Sequence, residues 1–465
     1  MSINLIYGPP GTGKTTYLLN LLEDLLKRYG PDEIAYVSYT RKGSYEGRDR
    51  ALERFNYAEE DFPYFRTLHS IAFRELRMSR ASMISRAYYK SFSEKMGMKF
   101  TGFYTEDFRN DDDRYLFFDI LHRNNPKAAK RFLYDMDTEK LRFVQHNYTR
   151  FKKHMNIFDF TDLLENYVKE GKSLPVKVAI IDEAQDLTSL QWKMIWKAFC
   201  ECEDIFIAGD DDQAIYEWSG ADVDYFLNLK GDTQILGKSY RLPDNILKFS
   251  EGITERIEHR VSKEYKGTGK EGRIKFLGQL DEIQLDEKQS YLFLARNNWF
   301  LKEYEEFLKA RGIVYRKKGV LSIDMRDFHA IRDFVELKKT RDNKFMTSAL
   351  RTRIKKNVDL NLQWYDNLDL PSEKINYYRE VLRRKKNIDD IKIEVGTIHS
   401  VKGGEADNVV LLSDVTKSVY RNLENNPDSE HRVFYVGVTR TKQNLYIVNS
   451  RTKNEYIFYR RPRYE

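Results

Sequence analysis

The octapeptide Gly8-Pro9-Pro10-Gly11-Thr12-Gly13-Lys14-Thr15 constrains the fold of this chain more than any other feature. It follows the apolar run Ile3-Asn4-Leu5-Ile6-Tyr7 and precedes a segment in which Leu18, Leu19, Leu22 and Leu25 recur at helical spacing. It therefore reads as the turn between a strand and a helix. Glycines in such a turn let backbone N–H groups converge at a helix N-terminus, where aligned peptide dipoles stabilise an anion. In this pattern Lys14 neutralises the outer phosphates of a nucleotide, Thr15 offers its hydroxyl to Mg2+, and Gly8, Pro9, Gly11, Thr12, Gly13 and Thr16 complete the cradle. The short apolar runs Ile34-Ala35-Tyr36-Val37-Ser38, Val178-Ala179-Ile180-Ile181 and Ile205-Phe206-Ile207-Ala208 alternate with helical stretches. That alternation predicts a parallel sheet covered on both faces.

Two further segments supply chemistry, each directly after one of those runs. Asp182-Glu183 ends an apolar strand, with Asp182 placed to hold Mg2+ and Glu183 to deprotonate an attacking water. Gly209-Asp210-Asp211-Asp212-Gln213 follows the next strand, and the Gln213 amide suits sensing of a γ-phosphate or its water. Tyr216 and Trp218 come soon after and offer flat faces on which bases of any sequence could stack. A single Trp, taken alone, is more often a core side chain, and that alternative stands beside the stacking one.

At 465 residues the chain is too long for one core. Apolar residues make up 41% and charged residues 32%, with 31 Tyr and 28 Phe, which excludes a disordered chain. No apolar stretch approaches the ~18 residues of a membrane helix, and no basic-then-apolar leader precedes the first strand. These features lead us to expect a soluble cytoplasmic protein with no membrane partner. Cys200 and Cys202 are too close in sequence for an ordinary disulfide and read as free thiols. The formal charge is +7. Between Lys338 and Lys392 there are 15 Lys and Arg against 8 Asp and Glu, so the whole excess sits in one segment. A solvated helix face and a nucleic-acid contact both account for it.

Further along, the order of short motifs resembles that of a superfamily 1A DNA helicase of the UvrD/Rep/PcrA family. Val37-Ser38-Tyr39-Thr40-Arg41-Lys42 and Thr67-Leu68-His69-Ser70 resemble its first strand-contacting motifs, and Phe158-Asp159-Phe160-Thr161-Asp162-Leu163-Leu164 the element that closes its inserted 1B subdomain. Ser239-Tyr240-Arg241, Gly396-Thr397-Ile398-His399-Ser400-Val401-Lys402-Gly403-Gly404-Glu405 and Tyr435-Val436-Gly437-Val438-Thr439-Arg440 are similar to its later motifs. The resemblance implies that Tyr240 stacks on adenine, that Arg241 and Arg440 reach the γ-phosphate, and that Glu405 meets the nucleotide sugar. It also implies that Tyr39, Thr40, Thr67, His69, Thr397 and His399 face the nucleic-acid strand.

The fold it implies is α/β, with two RecA-like P-loop NTPase domains, each carrying a mainly helical insertion. The expected partition is 1–70 with 173–240 for the ATP-binding domain 1A, and 71–172 for insertion 1B. Domain 2A takes 241–337 with 393–465, and a reduced, basic 2B insertion takes 338–392. The function implied is an ATP- and Mg2+-dependent motor, moving 3′ to 5′ on single-stranded DNA and acting at single-strand/duplex junctions in replication, repair or recombination. It would be monomeric or weakly associating, with replication or repair proteins as partners. A protein-displacing translocase with little unwinding and an ATP-switched DNA-binding subunit are the alternatives. Three departures from the family pattern are expected: only seven residues precede Gly8, where relatives carry an adenine-reading glutamine; the 2B region reads as short; and the residues after the last motif are too few to lead us to expect a nuclease domain.

Overall fold

The computed structural model describes residues 1–38, 48–49, 52–54, 57–104, 110–130, 133, 136–384 and 390–458. The chain divides into two compact units: residues 1–271 with 422–439, and residues 272–421 with 440–465.

The first unit is built on a six-stranded, wholly parallel sheet. Its strands are β1 Ser2–Tyr7, β2 Ile34–Ser38, β3 Phe65–Arg66, β4 Val178–Asp182, β5 Asp204–Gly209 and β6 Asp232–Ile235. They lie in the order β3-β2-β4-β5-β1-β6. Alternate residues point to opposite faces. Leu5, Val37, Ile181 and Ile207 enter one core with the helices Leu68–Glu75, Phe160–Glu170 and Ser189–Ala198, while Ile6, Tyr36, Ile180 and Ala208 enter another with the helix Lys14–Leu26. Burial on both faces is why these strands read as continuous apolar runs rather than alternating ones. All six strands point the same way, so the loops after β1, β4, β5 and β6 emerge along one carboxyl edge, where open α/β sheets receive ligands.

Between the third and fourth strands the chain leaves the sheet. Helices Arg86–Met96, Asp113–Asn124 and Thr138–Met155 gather two separate apolar clusters, one around Phe92, Tyr148 and Phe151 and one around Phe117, Phe118 and Leu121. A buried ion network ties this bundle to helix Phe160–Glu170: Arg123 reaches Asp159 (3.0 Å), Asp162 and Glu165, and Lys152 reaches Asp159 (2.6 Å) and Asp162 (2.7 Å). Burial works to raise the Asp159 carboxyl, but Arg123 and Lys152 outweigh it and hold the pKa down at about 2.

Helix Pro427–Val438 belongs to the first unit, although the chain before residue 422 and after residue 439 belongs to the second. Arg432 Nη1 donates to Glu217 Oε1 (3.0 Å), the backbone N–H groups of Glu258 and His259 donate to Asp428, and the hydroxyls of Tyr265 and Tyr435 share a hydrogen bond of 2.9 Å.

The second unit carries a seven-stranded sheet. Its strands are β7 Arg273–Leu277, β8 Tyr291–Ala295, β9 Arg316–Lys317, β10 Val320–Leu321, β11 Ile393–Thr397, β12 Ala406–Leu412 and β13 Thr441–Val448. They lie in the order β10-β9-β11-β8-β12-β13-β7, and only the β9–β10 hairpin is antiparallel. The basic segment from Lys338 folds with helix Met325–Thr340, which runs unbroken across the expected boundary at residue 338. Phe328, Ile331 and Phe334 of that helix pack with Leu350, Trp364, Leu368, Tyr377 and Tyr378 in a cluster of their own. The contact boundary near the expected domain junction lies at Glu271/Gly272, some thirty residues after Arg241, because the segment from Leu242 to Lys270 hydrogen-bonds back onto the end of β6 and onto Asp211 and Asp212. Among the described residues no helix is long and apolar enough to cross a membrane.

Candidate nucleotide site and nucleic-acid contact residues

The glycine loop takes the shape its sequence requires. Gly11 (φ +72°) and Gly13 (φ +74°) both stand in the left-handed region, and Gly13 caps the helix that begins at Lys14. The space at Gly11 is closed as well, since a Cβ there would overlap the Cβ of Arg241 and come within 2.8 Å of Ser239 Oγ. Thr12 Oγ1 donates to the Pro9 carbonyl (2.8 Å) and stiffens the turn, while Thr15 and Thr16 occupy the first turn of the helix. The segment after β6 lies against the loop: Ser239 Oγ donates to the Pro10 carbonyl (2.7 Å) and Tyr240 N to the Gly11 carbonyl (2.8 Å). The Tyr240 ring is left 72% exposed beside Gly13, with the Lys238 ammonium 5.4 Å from its centre. Arg241 Nη1 donates to the Thr439 carbonyl (3.3 Å).

Across the strand edge, Lys14 Nζ sits 3.2 Å from Asp182 Oδ1 and 2.9 Å from Glu183 Oε1. Burial pulls the Lys14 pKa down, but the two carboxylates override it and hold the ammonium above its usual value. Burial raises the Asp182 carboxyl, with Lys14 opposing and Glu183 adding to the rise. Tyr36 donates to Asp182 Oδ2 (3.0 Å) from the neighbouring strand. Glu183 adopts a left-handed backbone, φ 55° and ψ 40°, a conformation that costs a non-glycine residue ~1–3 kcal/mol and persists where the surrounding structure over-determines it.

A hydrogen-bond relay joins Glu183 to Gln213. Gln185 Nε2 donates to Glu183 Oε2 (2.5 Å), while Gln185 Oε1 accepts from Asp210 N (3.0 Å). Asp210 Oδ2 in turn accepts from Gln213 Nε2 (2.6 Å). Beneath this relay Lys263, with 1% of its side chain exposed, lies 3.0 Å from Asp210 Oδ1 and 2.9 Å from Asp212 Oδ2 and also meets Asp211. Arg260 clamps Asp212 through two bonds of 2.8 and 2.7 Å. Burial lowers the Lys263 pKa, yet the three carboxylates hold it above normal; burial pushes Asp211 up to about 6. The geometry therefore brings Lys14, Asp182, Glu183, Gln213, Tyr240 and Arg241 to one sheet edge of the first unit. Gln185, Asp210, Ser239, Tyr36 and Lys263 join them as supports to which the sequence reading gave no role.

The strand-contact residues divide differently. Tyr39 and Thr40 lie outside the described residues. Thr67 caps helix Leu68–Glu75 by accepting from Ser70 N (3.3 Å), and His69 stands edge-on to Phe160, ring centres 5.8 Å apart. Thr397 caps the turn Ile398–Val401 in the same way, accepting from Ser400 N at 3.3 Å. The tetrapeptide Thr-x-His-Ser thus recurs with the same capping bond, directly after β3 in one unit and from the last residue of β11 in the other. Tyr216 is half-buried at the start of the turn Glu217–Ser219. Trp218 is half-buried too, stacks on Phe117 at 6.0 Å, and its indole N–H is buried without a partner among the described residues. One face of its ring is thereby engaged within its own unit, the packing role that stood beside stacking as the alternative. In the second unit Glu405 pairs with Lys442 (2.6 Å), and Arg440 is 2% exposed, its guanidinium 3.4 Å from the Gly404 carbonyl.

The UvrD/REP helicase N-terminal domain matches residues 1–234, half of the chain, and the UvrD-like helicase C-terminal domain matches residues 392–448. A probable DNA helicase II homolog of Mycoplasma pneumoniae (strain ATCC 29342 / M129 / Subtype 1) is 23% identical over 376 residues, 72% of this chain and 51% of that protein. The ATP-dependent DNA helicase Rep of Escherichia coli (strain K12) is 22% identical over 363 residues, 69% of this chain and 54% of its own. A probable DNA helicase of the same Mycoplasma strain is 22% identical over 499 residues, 99% of this chain and 83% of that protein. The chain spans about half the length of the first two. With both family domains matched and the glycine loop, acidic strand end and Tyr-Arg segment assembled on one sheet edge, this chain belongs to the UvrD/Rep helicase family.

Proposed function

We propose that the chain hydrolyses ATP and couples hydrolysis to 3′ to 5′ movement along single-stranded DNA, opening duplex ahead of it. One observation carries the reading: Lys14 bridges Asp182 and Glu183 at the mouth of the glycine loop, with Gln213 tethered to Glu183 through Gln185 and Asp210. An entering triphosphate competes for Lys14 and takes it from the carboxylates. Asp182 is then left to face a cation and Glu183 to accept a proton from water. Gln213 orients that water, Tyr240 offers its exposed ring to the base, and Arg241 balances charge on the transferred phosphoryl group. Arg440 and Glu405 of the second unit keep, as proposals, the γ-phosphate and sugar roles that the resemblance gives them.

The donors present suit Mg2+, with Asp182 and the Thr15 hydroxyl as its hard oxygen ligands. Among the described residues no group of three or more His, Cys, Asp or Glu could hold a metal by itself. That fits an ion which arrives on phosphates and keeps few protein ligands. Once bound, it would neutralise charge on the phosphate oxygens.

Thr67, His69, Thr397 and His399, together with Tyr39, Thr40, Tyr216 and Trp218, are proposed to face the DNA strand. The relatives' names, DNA helicase II homolog and ATP-dependent DNA helicase Rep, favour DNA over RNA. We retain the four-part organisation of two RecA-like cores with insertions at 71–172 and 338–392, the second drawing on helix Met325–Thr340. The direct test is ATP turnover with and without single-stranded DNA, beside strand displacement on a 3′-tailed duplex. Equal turnover in both conditions would overturn the coupled motor. Stimulated turnover without displacement would leave a translocase that strips proteins.

A further inference from the structure

Among the described residues of the second unit the most exposed large apolar side chain is Trp299, at 81%. Tryptophan seldom stands in water to this extent without a partner to meet. The backbone around it is firmly held. Asn297 is 1% exposed and its Oδ1 accepts from Thr416 N (3.1 Å), Phe300 packs against the sheet core, and Leu301 is fully buried. The short turn Asn298–Phe300 is pinned on both sides and presents the indole outward as a fixed platform.

Its position in the sheet says what would meet it. Trp299 follows the carboxyl end of β8, and Ala295, the last residue of that strand, pairs with Thr397 of β11. The Thr397-Ile398-His399-Ser400 turn therefore begins in the next strand at the level where the chain departs toward Trp299. On the other side β12 runs in register with β8, and its continuation reaches Thr416, bonded to Asn297. Lys417 is exposed one residue later, and Lys302, three residues after Trp299, has 83% of its side chain in water, where it forms an exposed pair with Glu306 (3.5 Å) that a phosphate could replace. The first unit repeats the arrangement: its Thr67-Leu68-His69-Ser70 turn has the 55% exposed ring of Phe160 beside His69. Each unit thus has an exposed aromatic near a Thr-x-His-Ser segment: Phe160 against His69 in the first, and Trp299 after the strand whose last residue pairs with Thr397 in the second.

We propose that Trp299 is a base-stacking residue for single-stranded DNA in the second unit, with Lys302 and Lys417 supplying positive charge for the phosphates alongside. The inference rests on the DNA-motor reading above. A flat indole stacks on any base, which suits contact that ignores sequence.

The test is equilibrium binding of an oligo(dT) strand to the full chain, read by fluorescence anisotropy without nucleotide. Trp299→Ala should weaken binding roughly 5- to 100-fold, the range for one stacked base, and Trp299→Phe should recover most of it. An oligonucleotide with an abasic tract should bind wild type and Trp299→Ala alike. Circular dichroism melts of the variants should superimpose on wild type. If wild type binds oligo(dT) and Trp299→Ala binds equally well, or loses the abasic strand to the same degree, the stacking role is wrong. If wild type fails to bind any strand, the DNA-motor reading itself fails.

Discussion

Replacing Lys263 by Met should cost the first unit about 3–5 kcal/mol at pH 8, the penalty expected when a buried charge cluster loses its counter-ion. The magnitude follows from the geometry. At 3.0 Å from Asp210 and 2.9 Å from Asp212, each contact is worth roughly 5–6 kcal/mol at an effective dielectric constant of ~20. Desolvation of the ammonium and repulsion among three adjacent carboxylates offset much of that sum. What remains is large against the ~5–15 kcal/mol that hold an ordinary domain together.

The loss should depend on pH with a definite sign. Burial already lifts the folded-state pKa of Asp211 to about 6, and Lys263 opposes the rise, so removing the lysine lifts it further. A carboxyl whose folded pKa exceeds its unfolded value of ~3.9 contributes stability that is full below that value and is lost as pH rises through the folded pKa. The deficit of Lys263→Met should therefore shrink as pH falls from 8 to 5.5, by up to ~1.4 kcal/mol for each pH unit over which Asp211 takes its proton. Urea unfolding followed by tryptophan fluorescence at the two pH values measures it. Adding Asp211→Asn to Lys263→Met should recover stability at pH 8 and flatten the pH response. A deficit below ~1 kcal/mol, or one equal at both pH values, would refute the reasoning.

Glu183→Gln should keep nucleotide binding and lose turnover by about 10²- to 10⁴-fold, since it removes the proton acceptor and leaves Lys14 its Asp182 contact; retained ATP hydrolysis would remove Glu183 from that role. Gly11→Ala should abolish nucleotide binding in a titration with a fluorescent ATP analogue, because the new methyl group meets Arg241 and Ser239 in a backbone region that favours glycine. His431 is held neutral, its pKa lowered to about 4 first by burial and then by Arg256. A depressed base of this kind costs stability as pH falls from ~6.5 toward that value, so His431→Gln should flatten the melting temperature of the wild type across that window.

The glycine loop and the Asp182-Glu183 pair were legible in the sequence because their chemistry is local: a strand, a turn and a helix within about a dozen residues fix the geometry. The strands β1, β2, β4 and β5 announced themselves as apolar runs for the same reason. β6 did not, since three of its four residues are exposed on an edge and carry no hydrophobic signal. Lys263 was invisible because its meaning arises only when the chain returns, some fifty residues later, to lie under Asp210, Asp211 and Asp212. Gln185 carries no signal of its own beside Asp182-Glu183, although its amide joins that strand end, through Asp210, to Gln213. Trp218 drew attention by its spacing after Gln213, yet nothing local could reveal Phe117 stacked on it from the inserted helices. The repeat of Thr-x-His-Ser was readable by eye but carries weight only once both copies are seen capping their turns through the same bond.

Helix Pro427–Val438 has a consequence for how this protein is made. The chain passes from one unit to the other at residues 271, 421 and 439, so the first unit borrows a helix encoded far downstream of the rest of it. On a ribosome, everything through Glu271 would emerge while Asp428, Arg432 and Tyr435 had yet to be synthesised. Until then the partners of those side chains, among them Glu217, the His259 carbonyl and Tyr265, stand without them. A fragment cut after Glu271 would be born with that same gap. A version of the first unit meant to stand alone would have to carry residues 422–439 as a grafted tail or receive them as a separate peptide.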